Sequence, residues 1–202
     1  GNALRERQAF AEAEPLLRGS MEGGRRTRGS EHRDTLMSMN TYGFLLIRQG
    51  KVAETEPYWR EAYETGRRVF GPDDPDVLVW AANMGGLLTE MGRFDEAAER
   101  YRDATEGFRR VLGEEHPNTL GCSASLALAL RKGGKEEEAE RIYRGLAEAQ
   151  RRVLGEEHPD TLGTLSSLGL VLASRGLVAE GEAMLREALA AYRKTMGGGH
   201  LK

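Results

Sequence analysis

Apolar residues recur at intervals of three and four along the middle of the chain. In one stretch they are Phe94, Ala97, Tyr101, Ala104, Phe108 and Val111, and in another Ala139, Ile142, Tyr143, Leu146 and Val153. This spacing places the side chains on one stripe of an α-helix, with Glu, Arg and Lys on the opposite face. We predict amphipathic helices of about five turns that bury that stripe.

A second kind of segment is almost uncharged. Between Leu36 and Gln49 the one charged residue is Arg48, and between Leu162 and Arg175 it is Arg175. We predict that such segments are the first helices of helical hairpins, over 35–48, 76–91, 118–132 and 160–175. We expect neighbouring helices to enclose them, while the charged second helices form the outer wall.

Proline and glycine mark the ends of the first helices. Proline suits the first helical position, where no N–H is needed, and glycine accepts the left-handed conformation that follows a helix. The prolines are Pro75, Pro117 and Pro159, and the glycines are Gly50, Gly92, Gly134 and Gly176. Similar glycines, Gly113 and Gly155, should end the second helices.

Three positions disagree with this helical pattern. Pro15 and Pro57 fall inside second helices, and we expect both to lie within about the first turn, where N–H groups have no intrahelical partner. The pair Gly23-Gly24 predicts a frayed or broken helix, because each glycine costs up to about 1 kcal/mol relative to alanine.

A twelve-residue segment repeats along the chain. It reads RRVLGEEHPDTL at 151–162, RRVLGEEHPNTL at 109–120, RRVFGPDDPDVL at 67–78 and RRTRGSEHRDTL at 25–36. The copies are 42 residues apart, and a fixed period of this size indicates a repeat array. We predict one array over 1–202, with a partial repeat at 1–32 and full repeats at 33–74, 75–116, 117–158 and 159–200.

The ends of this array should be atypical. Gln8 lies 42 residues before Gly50, so we expect 8–32 to form a second helix whose first helix is mostly missing, with Gly1 and Leu4 in its remnant. No polar capping repeat is visible at either end, although natural arrays have them. We therefore expect an excerpt of a longer protein whose uncapped ends could self-associate.

The residues of the paired helices resemble the tetratricopeptide repeat family. The first-helix motifs are Tyr42-Gly43…Leu46, Met84-Gly85…Leu88, Leu126-Ala127…Leu130 and Leu168-Gly169…Leu172, and matching second-helix residues are Ala97, Ala139, Tyr101 and Tyr143. The 42-residue period, LGEEHPDTL and EAEPLLRG are similar to the kinesin light chain variety, which bacterial signalling proteins also use. The resemblance implies an all-α, right-handed superhelical solenoid of antiparallel helix hairpins, with first helices lining its concave wall. It also implies that Gly43, Gly85, Ala127 and Gly169 let helix backbones approach closely.

The same resemblance assigns a peptide-binding groove to the first helices. Its candidate residues are Met37, Asn40, Thr41, Phe44, Arg48, Asn83, Thr89, Glu90, Ser125, Arg131, Lys132, Ser166 and Ser167. Most are small, hydroxylic or amide-bearing, and such groups can bond a ligand backbone. Phe44, Leu128 and Leu170 form a mainly apolar row beside them. The alternative is that these residues only pack neighbouring first helices, above all Leu128 and Leu170.

The sequence therefore favours a non-catalytic scaffold that binds a protein, as a peptide or helical segment, in this groove. Two alternatives stay open. One is a regulatory or sensor arm of a larger signalling enzyme, such as an NTPase or protease. The other is a self-assembly module that stacks through its end helices. Arg48, Arg131 and Lys132 lie at helix ends, where we expect them to interact with the helix dipole.

Composition narrows the classes of partner. The net charge is −3 and the pI is about 5.9, so no global basic field attracts nucleic acid or anionic membranes. The arginine pairs that recur from Arg25-Arg26 to Arg151-Arg152 are offset by Glu114-Glu115 and Glu156-Glu157. No apolar run approaches the roughly 20 residues that span a bilayer, and GNALRER is not a secretory signal. We expect a cytoplasmic protein that binds neither nucleic acid nor membrane.

Residues with chemical potential are few. His32, His116, His158 and His200 recur once per repeat, so they cannot converge on a metal ion, and we assign them to turns and helix caps. Cys122 is the one cysteine, and we expect it to be a packing residue rather than a nucleophile. No phosphate loop, nucleophile elbow or HExxH motif is present. The sequence predicts no enzyme, cofactor or metal site.

Overall fold

The described part of the chain is entirely helical between its turns. The structure, a computed structural model, describes the backbone of residues 2–197 and the side chains of residues 9–194. Within these residues it has nine helices: α1 (Asn2–Arg28), α2 (Arg33–Arg48), α3 (Val52–Phe70), α4 (Pro75–Glu90), α5 (Phe94–Leu112), α6 (Pro117–Lys132), α7 (Glu136–Leu154), α8 (Pro159–Ser174) and α9 (Val178–Gly197). The all-α class and the four first helices are confirmed, with bounds within two residues of those predicted.

The helices pack as sequential antiparallel pairs. The chain divides into two compact units between Gly107 and Phe108, within the range of α5. In the first unit α2 packs against α1 and α3, and α3 also packs against α4. In the second unit α7 packs against α6 and α8, and α8 packs against α9. This is the hairpin arrangement of the tetratricopeptide repeat, whereas the repeat boundaries and the superhelical hand stay predictions.

Histidine caps three of the first helices. The Nδ1 atoms of His32, His116 and His158 accept hydrogen bonds from the backbone N–H two residues on, at 3.1–3.2 Å. Capping satisfies one of the free N–H groups at a helix start. The cap assignment is thus confirmed for these three residues, while His200 lies outside the described residues. Proline follows His116 and His158 at the first helical position, as predicted.

Aspartate replaces histidine as the cap of α4. Asp74 Oδ1 accepts hydrogen bonds from the N–H groups of Asp76 and Val77, at 3.0 and 3.4 Å. The Arg33 guanidinium lies 2.7 Å from the same carboxylate and holds its pKa below the ordinary value. The chain thus uses two acceptor types for one local task.

Glycine ends the helices where the pattern predicts it. Gly92 follows α4 with a φ of +75°, and Gly113 follows α5 with a φ of +93°. L-residues rarely adopt these angles, because the Cβ atom meets the backbone. After α4 the N–H of Arg93 returns to the carbonyl of Leu88 at 2.9 Å, which satisfies a free helix-end acceptor.

The small residues of the first helices make room for an aromatic ring. A Cβ atom on Gly43 would overlap the indole of Trp59, and one on Gly85 would lie 3.0 Å from ring carbons of Tyr101. The expectation of a close backbone approach stays a prediction in these two hairpins, where the atoms nearest that position belong to a second-helix side chain. It holds at Gly169, where such an atom would lie 2.9 Å from the Gly181 carbonyl oxygen.

Ion pairs connect successive repeats at a regular sequence separation. Arg25 bonds Glu61 at 2.5 Å and Arg151 bonds Glu187 at 3.2 Å, in both cases 36 residues apart. Two further pairs are 37 residues apart, Arg68 with Glu31 at 2.8 Å and Arg152 with Glu115 at 3.0 Å. The arginine pairs are thus offset mainly by acidic residues of the neighbouring repeat. Exposed pairs contribute about 0–1 kcal/mol each, so these ion pairs add little to the free energy of unfolding.

The N-terminal helix differs from the prediction. α1 runs without interruption through Gln8, Pro15, Gly23 and Gly24 to Arg28. Gln8 stands where later repeats have a glycine, so nothing there favours the left-handed turn that would separate two helices. Pro15 is therefore an interior residue, and Pro57 lies five residues after Val52, beyond the first turn of α3. Both prolines are exposed.

The predicted break at Gly23-Gly24 is also wrong. A Cβ atom on Gly24 would lie 3.0 Å from Oγ1 of Thr35 in α2, so this glycine allows a tight contact between the two helices. Packing outweighs the local cost of glycine here, as it commonly does in folded proteins.

The predicted apolar stripes end too far towards the helix C-termini. Val111 and Val153 are 45% and 44% exposed, although their spacing places them with buried residues. Each lies in the last turn of its helix, before the glycine, and beyond the buried part of the stripe.

We predict that His116→Ala lowers the free energy of unfolding by about 0.5–2 kcal/mol, because it leaves a helix-start N–H without its acceptor. His116→Asp should retain most of the stability, since Asp74 fills the same place in the chain. Urea unfolding of the two variants and the parent measures both effects. Equal destabilisation by Ala and Asp would contradict the cap.

We predict that Gly85→Leu lowers the free energy of unfolding by about 1–3 kcal/mol, because the new side chain overlaps the Tyr101 ring. The neighbouring Gly86→Leu is the control, since a Cβ atom there meets only the Tyr101 hydroxyl, at an ordinary 3.5 Å. Thermal melts of both variants measure the difference. An unchanged melting temperature for Gly85→Leu would remove this contact as a source of stability.

Acid should weaken the fold through Glu56. Hydrogen bonds from Arg60 and Arg93 lower the pKa of this carboxyl. Its contribution is therefore complete above the unfolded-state pKa of about 4.3 and is lost as pH falls through the lower folded-state value. We predict that Glu56→Gln loses stability at pH 7 and shows a smaller drop between pH 7 and pH 3.

Urea unfolding at both pH values tests this expectation. The matched control is Glu64→Gln, because Glu64 also neighbours Arg60, at 3.7 Å, but is well exposed. If Glu56→Gln and Glu64→Gln had the same pH profile, Glu56 would not be a source of acid sensitivity.

Candidate functional site

In the first unit, the outward side of α2 and α4 is partly apolar. Phe44 is 46% exposed and packs edge-on against Trp59, with ring centroids 4.9 Å apart. Met37 and Val79 are similarly exposed on the same helices. The candidate residues Met37 and Phe44 are therefore accessible to a partner, as the resemblance implies.

Two amides on this side bond each other. Asn83 Nδ2 donates to Asn40 Oδ1 at 3.0 Å, linking α4 to α2. Both side chains are partly exposed. This bond favours the alternative that these two residues pack neighbouring first helices, although free lone pairs remain for a ligand.

The predicted hydroxyl groups are engaged with their own helices. Thr41, Ser125 and Ser167 each donate to the carbonyl four residues earlier, at 3.0 Å. Thr89 and Ser166 do the same, at 2.9 Å. Because each hydroxyl has one proton, these groups can offer a ligand lone pairs but no donor.

The charged candidates lie at helix ends, as predicted. Arg48 is the last residue of α2 and stacks over Phe10, 5.8 Å from the ring centre. Arg131 lies in the last turn of α6 and bonds the Tyr143 hydroxyl, and exposed Lys132 follows it. Glu90, the last residue of α4, is exposed. Arg48 and Arg131 thus each contact an aromatic side chain, in addition to the interaction with the helix dipole that their position predicts.

The second unit has a cavity on its first-helix side. It measures about 520 Å³ and lies between α6, α7 and α8. Among its lining residues are the candidates Ser125 and Ser167 together with Leu120, Ala124, Leu128, Tyr143, Val153 and Leu154. The candidates Ser166, Arg131 and Lys132 do not line it. Ligand sites commonly combine such apolar walls with a few polar groups.

Two residues of the predicted apolar row, Leu128 and Leu170, lie in this unit and differ in their exposure. Leu170 is 49% exposed, so the alternative that it is a core residue is wrong. Leu128 is half-buried and forms part of the cavity wall. One residue of the row is therefore surface, and the other contributes to a concave site.

Polar groups approach the cavity from α7 and α8. Tyr143 is buried, which raises the pKa of its hydroxyl, and this hydroxyl bonds Ser167 and Arg131. Gln150 is 5% exposed, and its Oε1 has no hydrogen-bond partner. A buried acceptor without a donor is costly, so Gln150 is an unusual feature of the wall.

Sequence reasoning missed the α7 side of this site. Gln150, Val153 and Leu154 are spaced by three and four, so they share a helix face, but of these three residues the predicted apolar stripe includes only Val153. A usable signal was present, because Val-Leu stands before the closing glycine in two repeats and lies beyond the buried stripe.

The Cys122 thiol is not activated as a nucleophile. Burial raises the pKa of the Cys122 thiol to about 11, so it stays protonated at neutral pH. Among the side chains that the structure describes, no three His, Cys, Asp or Glu residues are grouped to hold a metal ion. No helix within residues 2–197 is long and apolar enough to cross a membrane.

Known structures share this architecture. The repeats of a putative kinesin light chain from Podospora anserina match with a TM-score of 0.85 at 22% identity, over 96% of this chain and 92% of that chain. BtubC (BKLC) from P. vanneervenii matches with 0.83 at 19% identity, over 98% and 78%. YrrB, described as a TPR protein with an unusual peptide-binding site, matches with 0.65 at 15% identity, over 96% and 84%.

Sequence comparison gives the family. No curated protein matches the chain. A tetratricopeptide repeat profile matches residues 34–110, 80–144 and 120–194, and a second one matches residues 1–34. Because these matches cover nearly all of the sequence, the chain belongs to the tetratricopeptide repeat family, and its solved neighbours include kinesin light chain-like repeats.

Proposed function

We propose that this protein is a non-catalytic interaction module whose first helices bind a peptide or a helical segment of a partner protein. The observation on which the proposal depends is the cavity on the first-helix side of the second unit. Its volume of about 520 Å³ is sufficient for one or more side chains of a partner.

The family supports this general role. Tetratricopeptide repeats are generally protein–protein interaction modules and are typically non-catalytic. The structurally similar YrrB is described as having a peptide-binding site. A groove ligand for the present chain is consistent with both.

The chemistry of the face suits a backbone as well as side chains. The hydroxyls of Thr41, Ser125 and Ser167 present lone pairs, since their protons are already donated to the helix. Lone pairs accept backbone N–H groups of any sequence. Exposed Phe44 in the first unit, and exposed Leu170 with the cavity wall in the second unit, provide apolar contact area. Such a surface binds by side-chain burial, with hydrogen bonds that fix register.

The two other functional predictions have weaker support. Regulation of a larger enzyme and self-association through the end helices remain predictions of the sequence. The protonated Cys122 thiol agrees with a non-catalytic role, because the thiolate is the nucleophilic form.

We predict that Asn83→Ala combined with Ser125→Ala weakens binding of a groove peptide at least about fivefold, because each change removes a hydrogen-bond acceptor. The peptide would be selected from a random display library on the immobilised parent chain. Stability should fall by no more than about 1 kcal/mol, the cost of the Asn40–Asn83 bond. Titration calorimetry and thermal melts measure the two quantities.

The control is Thr27→Ala. Thr27 donates to the Gly23 carbonyl at 2.8 Å, as the groove hydroxyls do to theirs, but lies on the charged helix α1. It should leave peptide affinity unchanged. If the selected peptides bind the double variant as tightly as the parent, the first helices are not the binding face.

A further inference from the structure

One end of the cavity in the second unit is acidic. Among the described residues that line it, the charged ones are Glu115 and Asp160. Asp160 opens α8, and its carboxylate is largely exposed. Glu115 bonds Arg152 at 3.0 Å. Asp160 Oδ2 lies 3.8 Å from His158 Nδ1, but that nitrogen accepts the Asp160 backbone N–H, so the Asp160 carboxylate is the one that remains for a ligand.

The buried acceptor of Gln150 belongs to the same end. Gln150 shares a face of α7 with Val153 and Leu154, and all three line the cavity. On α8, Thr164 stands four residues after Asp160 and also lines it. Gln150 Oε1 is buried and receives no hydrogen bond. A group that enters here and donates to Oε1 would remove the cost of that unmet acceptor.

Comparison with an earlier repeat shows why space exists at this place. Gly66 and Trp80 stand 84 residues before Gln150 and Thr164, and there the Trp80 ring fills the space above Gly66. At the later junction two polar side chains of moderate size replace this glycine and indole, and a cavity remains. The opening is thus a local property of this junction rather than of the repeat.

Arg152 bonds Glu115 at the acidic end, and a second cation, Arg131, contacts the cavity wall at the other end. Arg131 bonds the Tyr143 hydroxyl, which also bonds Ser167. Ser167 is seven residues from Asp160, which is about 10 Å along a helix. The acidic end is therefore not neutralised by Arg131.

We propose that this end of the cavity binds an arginine side chain of the partner protein, a specificity that rests on the function proposed above. The aliphatic stem would pack on Val153 and Leu154, as long basic side chains do on apolar surfaces. The guanidinium only donates hydrogen bonds, and its five N–H groups match both the neutral acceptor of Gln150 and the carboxylate of Asp160. A side chain that ends in a hydrogen-bond acceptor would leave Gln150 Oε1 without a hydrogen bond.

The test uses two probes of the same shape and different charge. n-Butylguanidinium represents the arginine side chain, and N-butylurea is its neutral counterpart. Each is titrated at millimolar concentration into the full ¹⁵N-labelled chain while the Gln150 side-chain amide and the Gly163 and Thr164 backbone amides are followed by NMR. We expect saturable shifts of these signals with n-butylguanidinium, and dissociation constants at least about tenfold weaker with N-butylurea.

Two substitutions locate the interaction. Asp160→Asn should weaken the binding of n-butylguanidinium at least about fivefold, because it removes the negative charge from the contact. It should fold normally, since the chain has Asn118 at the matched place of the preceding repeat. Gln150→Met, of similar length, removes the acceptor and should weaken the probe by a similar factor. Glu148→Gln is the control, because Glu148 is an exposed residue of α7 that does not line this cavity, and it should leave the affinity unchanged.

The outcomes separate this inference from the proposed function. Selective, saturable binding of n-butylguanidinium that weakens in Asp160→Asn and Gln150→Met supports an arginine site. Equal binding of the two probes, no saturable shift, or equal loss in Glu148→Gln overturns it. Peptides selected on the groove without arginine would also overturn it and leave the proposed function intact, whereas loss of groove-dependent peptide binding would overturn both.

Discussion

Two hairpins close through a large side chain of the second helix that lies over a small residue of the first. Trp59 covers Gly43 and Tyr101 covers Gly85 so closely that an added Cβ atom would meet the ring. The ring is buried in both cases, and a buried aromatic side chain is among the largest single contributions to a small core. When Leu185 replaces the aromatic residue, Gly169 and Gly181 approach through their backbones instead. Helix separation is therefore set by the pair of residues together.

The same reasoning explains where the cavity of the second unit lies. A junction between repeats is closed when one large side chain meets a glycine, as Trp80 meets Gly66. It stays open when both partners are of middle size, as Gln150 and Thr164 are, and then polar groups and apolar walls share one cavity. Irregularity at an otherwise repeated position thus gives this chain a local cavity, while the shared positions provide its fold.

Helix positions were predictable because proline, glycine and the capping residues act locally. Pro117, Gly92 and His116 each do in the structure what short-range chemistry requires. The wrong predictions concern positions where packing between helices, rather than local sequence, decides the structure. Gly24 belongs to a close contact with Thr35, and Gln8 does not divide a helix although the repeat period places a boundary there. The cavity was not predictable from helical spacing. The 3.6-residue period predicts which face of a helix is buried, but not the residue at which the neighbouring helix ceases to cover that face. Val153 lies at that limit.

Ion pairs between neighbouring repeats recur at the same sequence separation, except at one position. Acidic residues at Glu61, Asp103 and Glu187 each face an arginine 36 residues earlier, but Gly145 stands at the matched position for Arg109. Arg109 then lies 3.9 Å from Glu114 of its own turn. Exposed pairs stabilise weakly, so the fold tolerates the loss of one. The loss falls on α7, the helix that also provides Gln150, so the repeat that departs from the pattern at the cavity departs from it in charge as well.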